Sequence, residues 1–273
     1  MRIIRVFPRR TSYTPTDALA FVGDPPLWVP EADEVWVSCT FTWDKAEAER
    51  LAEAWQPYAP VVRLGGPAYD AEAGEFVPGR YVKRGVTFTS RGCPNHCSFC
   101  LVPPREGRLT LLDPIPEGWI VNDNNLLACP KEHRQRVYQM LARQPKPATF
   151  SGGLQASLIT DEIADELRGL RIEQVFLAAD SEAALGPLGQ AVRRLSFLPR
   201  RKLRCYILLA YRGEMIEQAE ARLERAWNIG VMPFAMLYQP PDRHIDYSRA
   251  WRKLAKKWIR PPAMKAAHRD ASQ

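Results

Sequence analysis

Three cysteines within eight residues are the side chains of this sequence best suited to chemistry. Cys93, Cys97 and Cys100 lie in the segment Thr-Ser-Arg-Gly-Cys-Pro-Asn-His-Cys-Ser-Phe-Cys, with Phe99 directly before the last of them. Thiolates at this spacing can hold three irons of a [4Fe-4S] cubane and leave the fourth iron without a protein ligand. An iron with an open position can bind a second molecule. The spacing therefore indicates a cluster that takes an external ligand.

Two other chemistries remain open for these cysteines. One is a structural zinc site completed by His96, although zinc sites usually have two separated ligand pairs, and no second Cys or His pair follows at such spacing. The other is an iron-sulfur electron carrier or sensor, which needs a fourth ligand such as His96 or Cys129. The carrier alternative gives no reason for the polar residues that follow successive predicted strands.

The remaining cysteines, Cys39, Cys129 and Cys205, are scattered and are most simply read as small buried apolar side chains. Their spacing does not indicate a disulfide framework. The first residues do not resemble a signal peptide, and no window approaches the roughly 18 apolar residues of a membrane span. We expect a cytoplasmic protein that does not associate with membranes.

Runs rich in Val, Ile and Phe alternate with amphipathic stretches, which is typical of an α/β protein with parallel strands. Residues 85–246 contain six strand-helix units and predict a partial (β/α)6 barrel, with its reactive edge where the carboxyl ends of the strands emerge. Residues 1–84 predict a small Rossmann-like α/β cap domain. Its predicted elements are strands at 2–7, 34–41 and 61–64, a helix near 44–55, and a closing linker over 70–85.

The cysteine motif lies directly after the first strand of the six-fold pattern, and in this position it resembles the signature of the radical SAM superfamily. The resemblance covers about residues 85 to 240. It implies an enzyme whose [4Fe-4S] cluster binds S-adenosylmethionine (SAM) through the free iron. It further implies reductive cleavage of SAM to a 5′-deoxyadenosyl radical that abstracts hydrogen from a substrate. A low-potential electron donor such as ferredoxin or flavodoxin is the implied redox partner.

The superfamily pattern also implies contacts to SAM at the ends of the second and third strands. Asn122-Asp-Asn-Asn stands in place of the usual Gly-Gly-Glu, so Asp123, Asn124 and Asn125 are candidates for binding the amino group. An ordinary loop of Asx turns is the alternative. At the third strand, two glycines allow close approach of a ligand to the backbone. The candidates there are Ser151, Gly152, Gly153 and Gln155.

Three later strand ends complete the implied site. Asp180, with Ser181, is the candidate for the ribose hydroxyls, and an N-cap to the next helix is its alternative. Ile207 and Leu209 are the candidates for flanking adenine. After them, Ala210 and Arg212 replace the usual glycine and proline of the superfamily's turn. At the sixth strand, the candidates for the substrate mouth are Tyr238 and Gln239.

The N-terminal 84 residues resemble, weakly, the cobalamin-binding-like domain found before many radical SAM barrels. They lack the Asp-x-His-x-x-Gly motif that supplies a cobalt ligand in one group of cobalamin proteins. We therefore expect a structural cap without cobalamin. A cobalamin-dependent radical SAM methyltransferase is the alternative function.

The net charge of +7 lies entirely in the segment 247–273, which holds eight Lys or Arg and one acid. One interpretation is a basic helix that packs Trp251 and Trp258 inward and leaves its charges in water. The other is contact with nucleic acid, which would make tRNA or DNA the substrate. A small molecule or a nucleotide is an equally compatible substrate.

Overall fold

The structure is a computed structural model that describes residues 1–69 and 76–269. Part of the predicted linker, residues 70–75, and the last four residues of the predicted basic tail lie outside the described residues. The chain divides into two compact units. Unit 1 comprises residues 1–86 with 116–118 and 241–244, and unit 2 comprises 87–115, 119–240 and the chain from 245 onward.

Unit 1 contains a four-stranded parallel sheet with the order β2-β1-β3-β4. Its elements are β1 (Ile3–Phe7), β2 (Ala20–Val22), β3 (Glu34–Ser38), α1 (Lys45–Ala54) and β4 (Val61–Gly65). Alternate strand residues such as Ile4 and Val35 are fully buried in one core with Leu51 of α1. The predicted strands and helix are present. β2 was not predicted because three half-buried residues are too short to show a period.

Unit 2 contains a six-stranded sheet with the order β12-β11-β10-β9-β8-β5, and the pairs from β8 to β12 are parallel. This confirms the α/β class. The strands of the six-stranded sheet are β5 (Val86–Thr87), β8 (Ile120–Val121), β9 (Ala148–Leu154), β10 (Ile172–Ala178), β11 (Leu203–Leu209) and β12 (Met232–Leu237). A separate two-stranded sheet contains β6 (Ser90–Arg91) and β7 (Thr110–Leu111). The helices of unit 2 are α2 (Val102–Glu106), α3 (Lys131–Ala142), α4 (Asp161–Arg168), α5 (Leu185–Arg194), α6 (Ile216–Ile229), α7 (Arg249–Ile259) and α8 (Pro261–Arg269).

The two faces of this sheet differ in burial. On β11, Ile207 and Leu209 have 0 % exposure and belong to one apolar core with α6 residues such as Leu223. Tyr206 and Leu208, which alternate with them, are half-buried on the other face. The helices thus cover the face that carries Ile207 and Leu209.

The C-terminal helices belong to unit 2. Leu254 and Trp258 of α7 are buried in its core, and the Trp258 ring lies 6.3 Å from that of Trp227. Lys253 and Lys256 are exposed on the opposite side of α7. The inward packing of Trp258 agrees with the first interpretation of the basic tail. Residues 116–118 and 241–244, which lie within the predicted barrel range of 85–246, cluster with unit 1.

Across residues 1–69 and 76–269, none of the helices combines the length and the apolar character that crossing a bilayer requires.

Candidate functional site

The candidate site residues of unit 2 follow the carboxyl ends of its strands. The cysteine loop follows β5 and β6, the Asn-Asp-Asn-Asn segment follows β8, and Asp180 follows β10. Because the ends of parallel strands meet at one edge of a sheet, these segments share that edge. Hydrogen bonds between the segments show which of their side chains come together.

A short hairpin closes the cysteine loop. Ser90 and Arg91 of β6 pair antiparallel with Leu111 and Thr110 of β7. Gly92 enters the loop with a φ of +72°, and a Cβ atom there would lie 2.2 Å from the Arg108 carbonyl oxygen. Only glycine fits this close approach. The backbone that leads into Cys93 is therefore fixed from both sides.

Asp123 anchors the strand that precedes the cysteines. Its carboxylate, 2 % exposed, accepts hydrogen bonds from the Thr89 amide at 2.6 Å, from the Thr89 hydroxyl and from the Ser90 hydroxyl at 2.9 Å. Burial raises the pKa of Asp123, and the bonds from Thr89 and Ser90 oppose that rise. The structure thus gives Asp123 a positioning role instead of the contact with the SAM amino group that the resemblance implies.

His133 of α3 extends this buried network. Its Nε2 lies 3.3 Å from the Thr89 hydroxyl oxygen. Because that hydroxyl donates to Asp123, His133 is the donor here. Burial lowers the pKa of His133, which favours the neutral ring. The sequence offers no signal for this residue, since a histidine on an amphipathic helix has no distinguishing spacing.

Two cysteine sulfurs accept hydrogen bonds from nitrogen. The Asn95 amide lies 3.5 Å and the Asn125 side-chain nitrogen 3.8 Å from Cys93 Sγ, and the Val102 amide lies 3.4 Å from Cys100 Sγ. N–H donors around sulfur are typical of iron-sulfur ligands, whose electron density they tune.

The thiols also influence one another. Burial raises the pKa of Cys97, and the neighbouring Cys100, Cys93 and Asp180 add to the rise. Burial likewise raises the pKa of Cys100, against a hydrogen bond from Val102. Adjacent thiolates are therefore unfavourable here without a cation. A cationic metal centre would supply that compensation.

Gln155 brings two loops together beside Cys93. Its side-chain oxygen accepts from the Asn95 and Asn125 side-chain nitrogens, at 2.8 Å each, and its nitrogen donates to Ser157. The Asn125 side-chain oxygen is buried and has no partner in the part of the chain that the structure describes. An acceptor without a donor is therefore left close to Cys93.

Asn124 has a different partner. Its side-chain nitrogen donates to Glu106 of α2 at 2.7 Å, and the same Glu106 oxygen accepts from the Gly92 amide at 3.1 Å. Asn124 thus fixes the far end of the cysteine loop. The sequence reasoning missed Glu106, whose partners are distant along the chain.

The third-strand candidates hold the ends of β8 and β9 together. The Ser151 hydroxyl, which is buried, donates to the Val121 carbonyl at 3.2 Å. A Cβ atom on Gly152 would lie 1.9 Å from the Asp123 carbonyl oxygen, and Gly153 has a φ of +95°. Strand packing and backbone conformation account for these glycines without a ligand.

Asp180 lies at the end of β10. Its Oδ1 accepts from the Leu208 amide on β11 at 2.8 Å, and burial raises its pKa. The alternative N-cap role does not apply, because Ser181 occupies that position, and Ser181 is exposed and makes no side-chain capping bond. Asp180 Oδ2 has no hydrogen-bond partner among the described residues.

The turn after β11 is strained and firmly held. Ala210 and Arg212 have φ values of 61° and 53°, which non-glycine residues rarely adopt. Glu214 accepts from the Ala210 amide at 2.9 Å and forms a buried ion pair with Arg222 of α6. Arg222 also donates to the Leu208 carbonyl at 2.7 Å. These bonds keep the turn in a conformation that its sequence disfavours.

The strained turn presents Tyr211 to the cysteine loop. Its hydroxyl lies 3.0 Å from the Ser98 hydroxyl, and its ring meets Phe99 edge-on with centroids 5.6 Å apart. Tyr238 at the end of β12 packs on the other side, 4.9 Å away. We name Phe99, Tyr211 and Tyr238 the aromatic cluster. The sequence reasoning missed Tyr211, although Ala210 and Arg212 replacing glycine and proline marked its turn as unusual.

Gln239, the other candidate at the sixth strand, stabilises its own loop. Its side chain donates to the Ile245 carbonyl at 2.9 Å and accepts from the Ile245 amide at 2.8 Å. These two bonds occupy the side-chain amide of Gln239 with the segment that follows β12.

No group of three or more His, Cys, Asp or Glu side chains over residues 1–69 and 76–269 is arranged to hold a metal ion. Among protein-family models and among curated proteins, nothing matches this chain.

Proposed function

We propose that unit 2 is a radical SAM enzyme in which Cys93, Cys97 and Cys100 hold a [4Fe-4S] cluster that binds SAM. The supporting observation is the cysteine loop itself, which lies at the carboxyl edge of the sheet with amide donors on two of its sulfurs. When bound, the cluster would supply the electron that cleaves SAM and releases a 5′-deoxyadenosyl radical to take hydrogen from a substrate.

The order of the strands supports a partial barrel. From β8 to β12, each strand pairs with the next one along the chain, without the reversal of a doubly wound sheet. Right-handed parallel crossovers in this order curl a sheet in one direction. The carboxyl edge would then surround SAM instead of lining a flat crevice.

We assign different residues near the cysteines to the amino, ribose and adenine groups of SAM. The unpartnered side-chain oxygen of Asn125 is the acceptor we assign to the SAM amino group, since the Asp123 carboxylate is occupied. Asp180 keeps its Oδ2 for a ribose hydroxyl. Ile207 and Leu209 are buried towards the helices, so Leu208 on the other face is the better candidate for adenine.

The aromatic cluster would close the site. Phe99, Tyr211 and Tyr238 are half-buried and pack edge-on beside the loop. Apolar ring surface next to a radical excludes water and competing hydrogen donors. A low-potential one-electron donor remains the partner that this chemistry requires.

Electron paramagnetic resonance tests the proposal against the electron-carrier alternative. The chain is reconstituted with iron and sulfide without oxygen, reduced with dithionite, and measured with and without SAM. We expect a cluster signal that SAM changes, loss of that change in Cys97→Ala, and its retention in Cys39→Ala, which removes a buried thiol of unit 1. A four-ligand cluster whose signal ignores SAM would support the carrier instead.

A further inference from the structure

We infer that unit 1 carries a binding site for a phosphate-bearing ligand of about nucleotide size. A cavity of about 640 Å³ lies in this unit, lined by Ile3 and Arg5 of β1 and by residues on either side of Gly79. Ile4 and Val6, which alternate with them, are buried in the core that includes α1. The cavity therefore lies on the face of the sheet away from α1.

Arg5 forms the buried wall of the cavity. Its side chain is 10 % exposed and donates to the Gly79 and Arg80 carbonyls at 3.2 and 3.1 Å, and its Nη2 pairs with Asp17. Its Nε is buried without a partner among the described residues. A buried charged donor left unpaired is costly, and negative charge in the cavity beside this guanidinium would offset part of that cost.

Three further cations line the same cavity, namely Arg80, Lys83 and Arg84. None of them takes part in an ion pair within residues 1–69 and 76–269. Arg80 lies over the Trp36 ring at 5.7 Å and Lys83 over the Tyr13 ring at 5.9 Å, contacts that keep both side chains close to the protein.

The acidic side chain of the cavity lining is already paired with a cation. Asp17 is the one acid among the lining residues described, and its Oδ1 accepts from Arg5 and from the Leu19 amide at 3.1 Å. The Arg5 and Asp17 charges offset each other, which leaves Arg80, Lys83 and Arg84 to act on a ligand.

The positive charge of Arg80, Lys83 and Arg84 favours a phosphate ligand over a carboxylate. Guanidinium forks and an ammonium together match the several oxygens and multiple charges of a phosphate or diphosphate. The volume falls within the range of about 300–1,000 Å³ that small-molecule sites occupy. Free polyphosphate and a nucleotide share this chemistry. The inference does not depend on the radical SAM proposal, because only unit 1 residues carry it.

Isothermal titration of the full chain with pyrophosphate, and separately with ADP, tests the site. Lys83→Glu/Arg84→Glu should weaken binding at least about tenfold. The matched control is Arg2→Glu/Arg10→Glu, which changes net charge equally at two exposed positions outside the cavity. It should change binding less than about twofold. Tighter binding of ADP would identify a nucleotide, and equal binding would identify a polyphosphate.

Two results would overturn the inference. One is the absence of saturable binding of either probe to the unmodified chain. The other is equal weakening in the control, which would show attraction by net charge alone. Circular dichroism checks the fold of each variant, and Lys83→Gln, which removes one charge without reversing it, should still weaken binding several-fold if the double variant does not fold.

Discussion

At the scale of single residues, Asp123 is the side chain on which the cysteine loop most depends. Asp123→Ala would leave the Thr89 amide and two hydroxyls without their buried acceptor. Each unsatisfied buried donor costs roughly 1–3 kcal/mol, partly recovered when hydroxyls rotate, so we expect a loss of about 2–4 kcal/mol in the free energy of unfolding. Urea unfolding of the metal-free chain in mildly acidic buffer measures it.

The matched control for this loss is Asp165→Ala. Asp165 is exposed and meets Arg168 at 3.7 Å on the surface of α4. Exposed pairs contribute little, so the change should stay below about 0.5 kcal/mol. Equal losses in the two variants would contradict the anchoring role of Asp123.

The same residue predicts a pH dependence. Burial raises the pKa of Asp123 above its ordinary value of 3.8, so the folded chain holds this proton more tightly than the unfolded chain. Its contribution to stability is complete below the unfolded pKa and is lost as pH rises through the folded pKa. The difference in unfolding free energy between the unmodified chain and Asp123→Ala should therefore shrink as the pH rises above 3.8, the ordinary pKa of the carboxyl group. A difference that grows over this range would contradict the assignment.

At the scale of elements, Arg222 of α6 ties the strained turn to two strand ends. Arg222→Met would remove its bonds to Ala179 and Leu208 and leave the half-buried Glu214 carboxylate without its cation. Breaking a buried pair from one side costs about 3–5 kcal/mol. We expect this loss in urea unfolding. Tyr211 should also lose its fixed position, which quenching of tyrosine fluorescence by acrylamide would report.

Arg225→Met on the same helix is the control. Arg225 is exposed and pairs with Glu182 on the surface, so its loss should cost less than about 1 kcal/mol. Comparable losses for Arg222→Met and Arg225→Met would show that the pair at the turn contributes no more than a surface contact.

The sequence predicts the positions of strands and helices better than it predicts which face of the sheet a side chain lies on. The strands and helices that alternate regularly have strong periods, whereas β2 and the β6–β7 hairpin are two or three residues long and have none. Ile207 and Leu209 show why a strand position alone is insufficient. Both lie on the correct strand, but only the packing of α6 decides which face meets the helices.

Among the site residues, those with a local spacing pattern can be recognised from the sequence, and those with distant partners cannot. The cysteines are recognisable because their proposed chemistry depends on local spacing. Gln155, predicted as a contact to SAM, hydrogen-bonds the side chains of Asn95 and Asn125. Asp123 and Asn124 have partners 34 and 18 residues away. Such long-range bonds leave no local pattern in the sequence.

At the scale of the whole molecule, the two units carry different chemistry. Unit 2 places thiols, amides and an aromatic cluster at the edge of a parallel sheet, whereas unit 1 holds a cavity lined with cations. The basic helix α7 buries Trp258 in unit 2, so its charges do not require a nucleic-acid partner to explain the helix. The proposed function therefore depends first on the chemistry of the cysteine loop.

Formation of 5′-deoxyadenosine tests the radical SAM proposal most directly. The reconstituted chain is reduced with dithionite, supplied with SAM, and assayed for the nucleoside beside Cys97→Ala and Cys39→Ala. We predict product from the unmodified chain and Cys39→Ala, and a loss of about a hundredfold or more in Cys97→Ala, because a cluster short of one ligand no longer binds SAM productively. An intact cluster that yields no 5′-deoxyadenosine, or product that does not depend on Cys97, would contradict the radical SAM proposal.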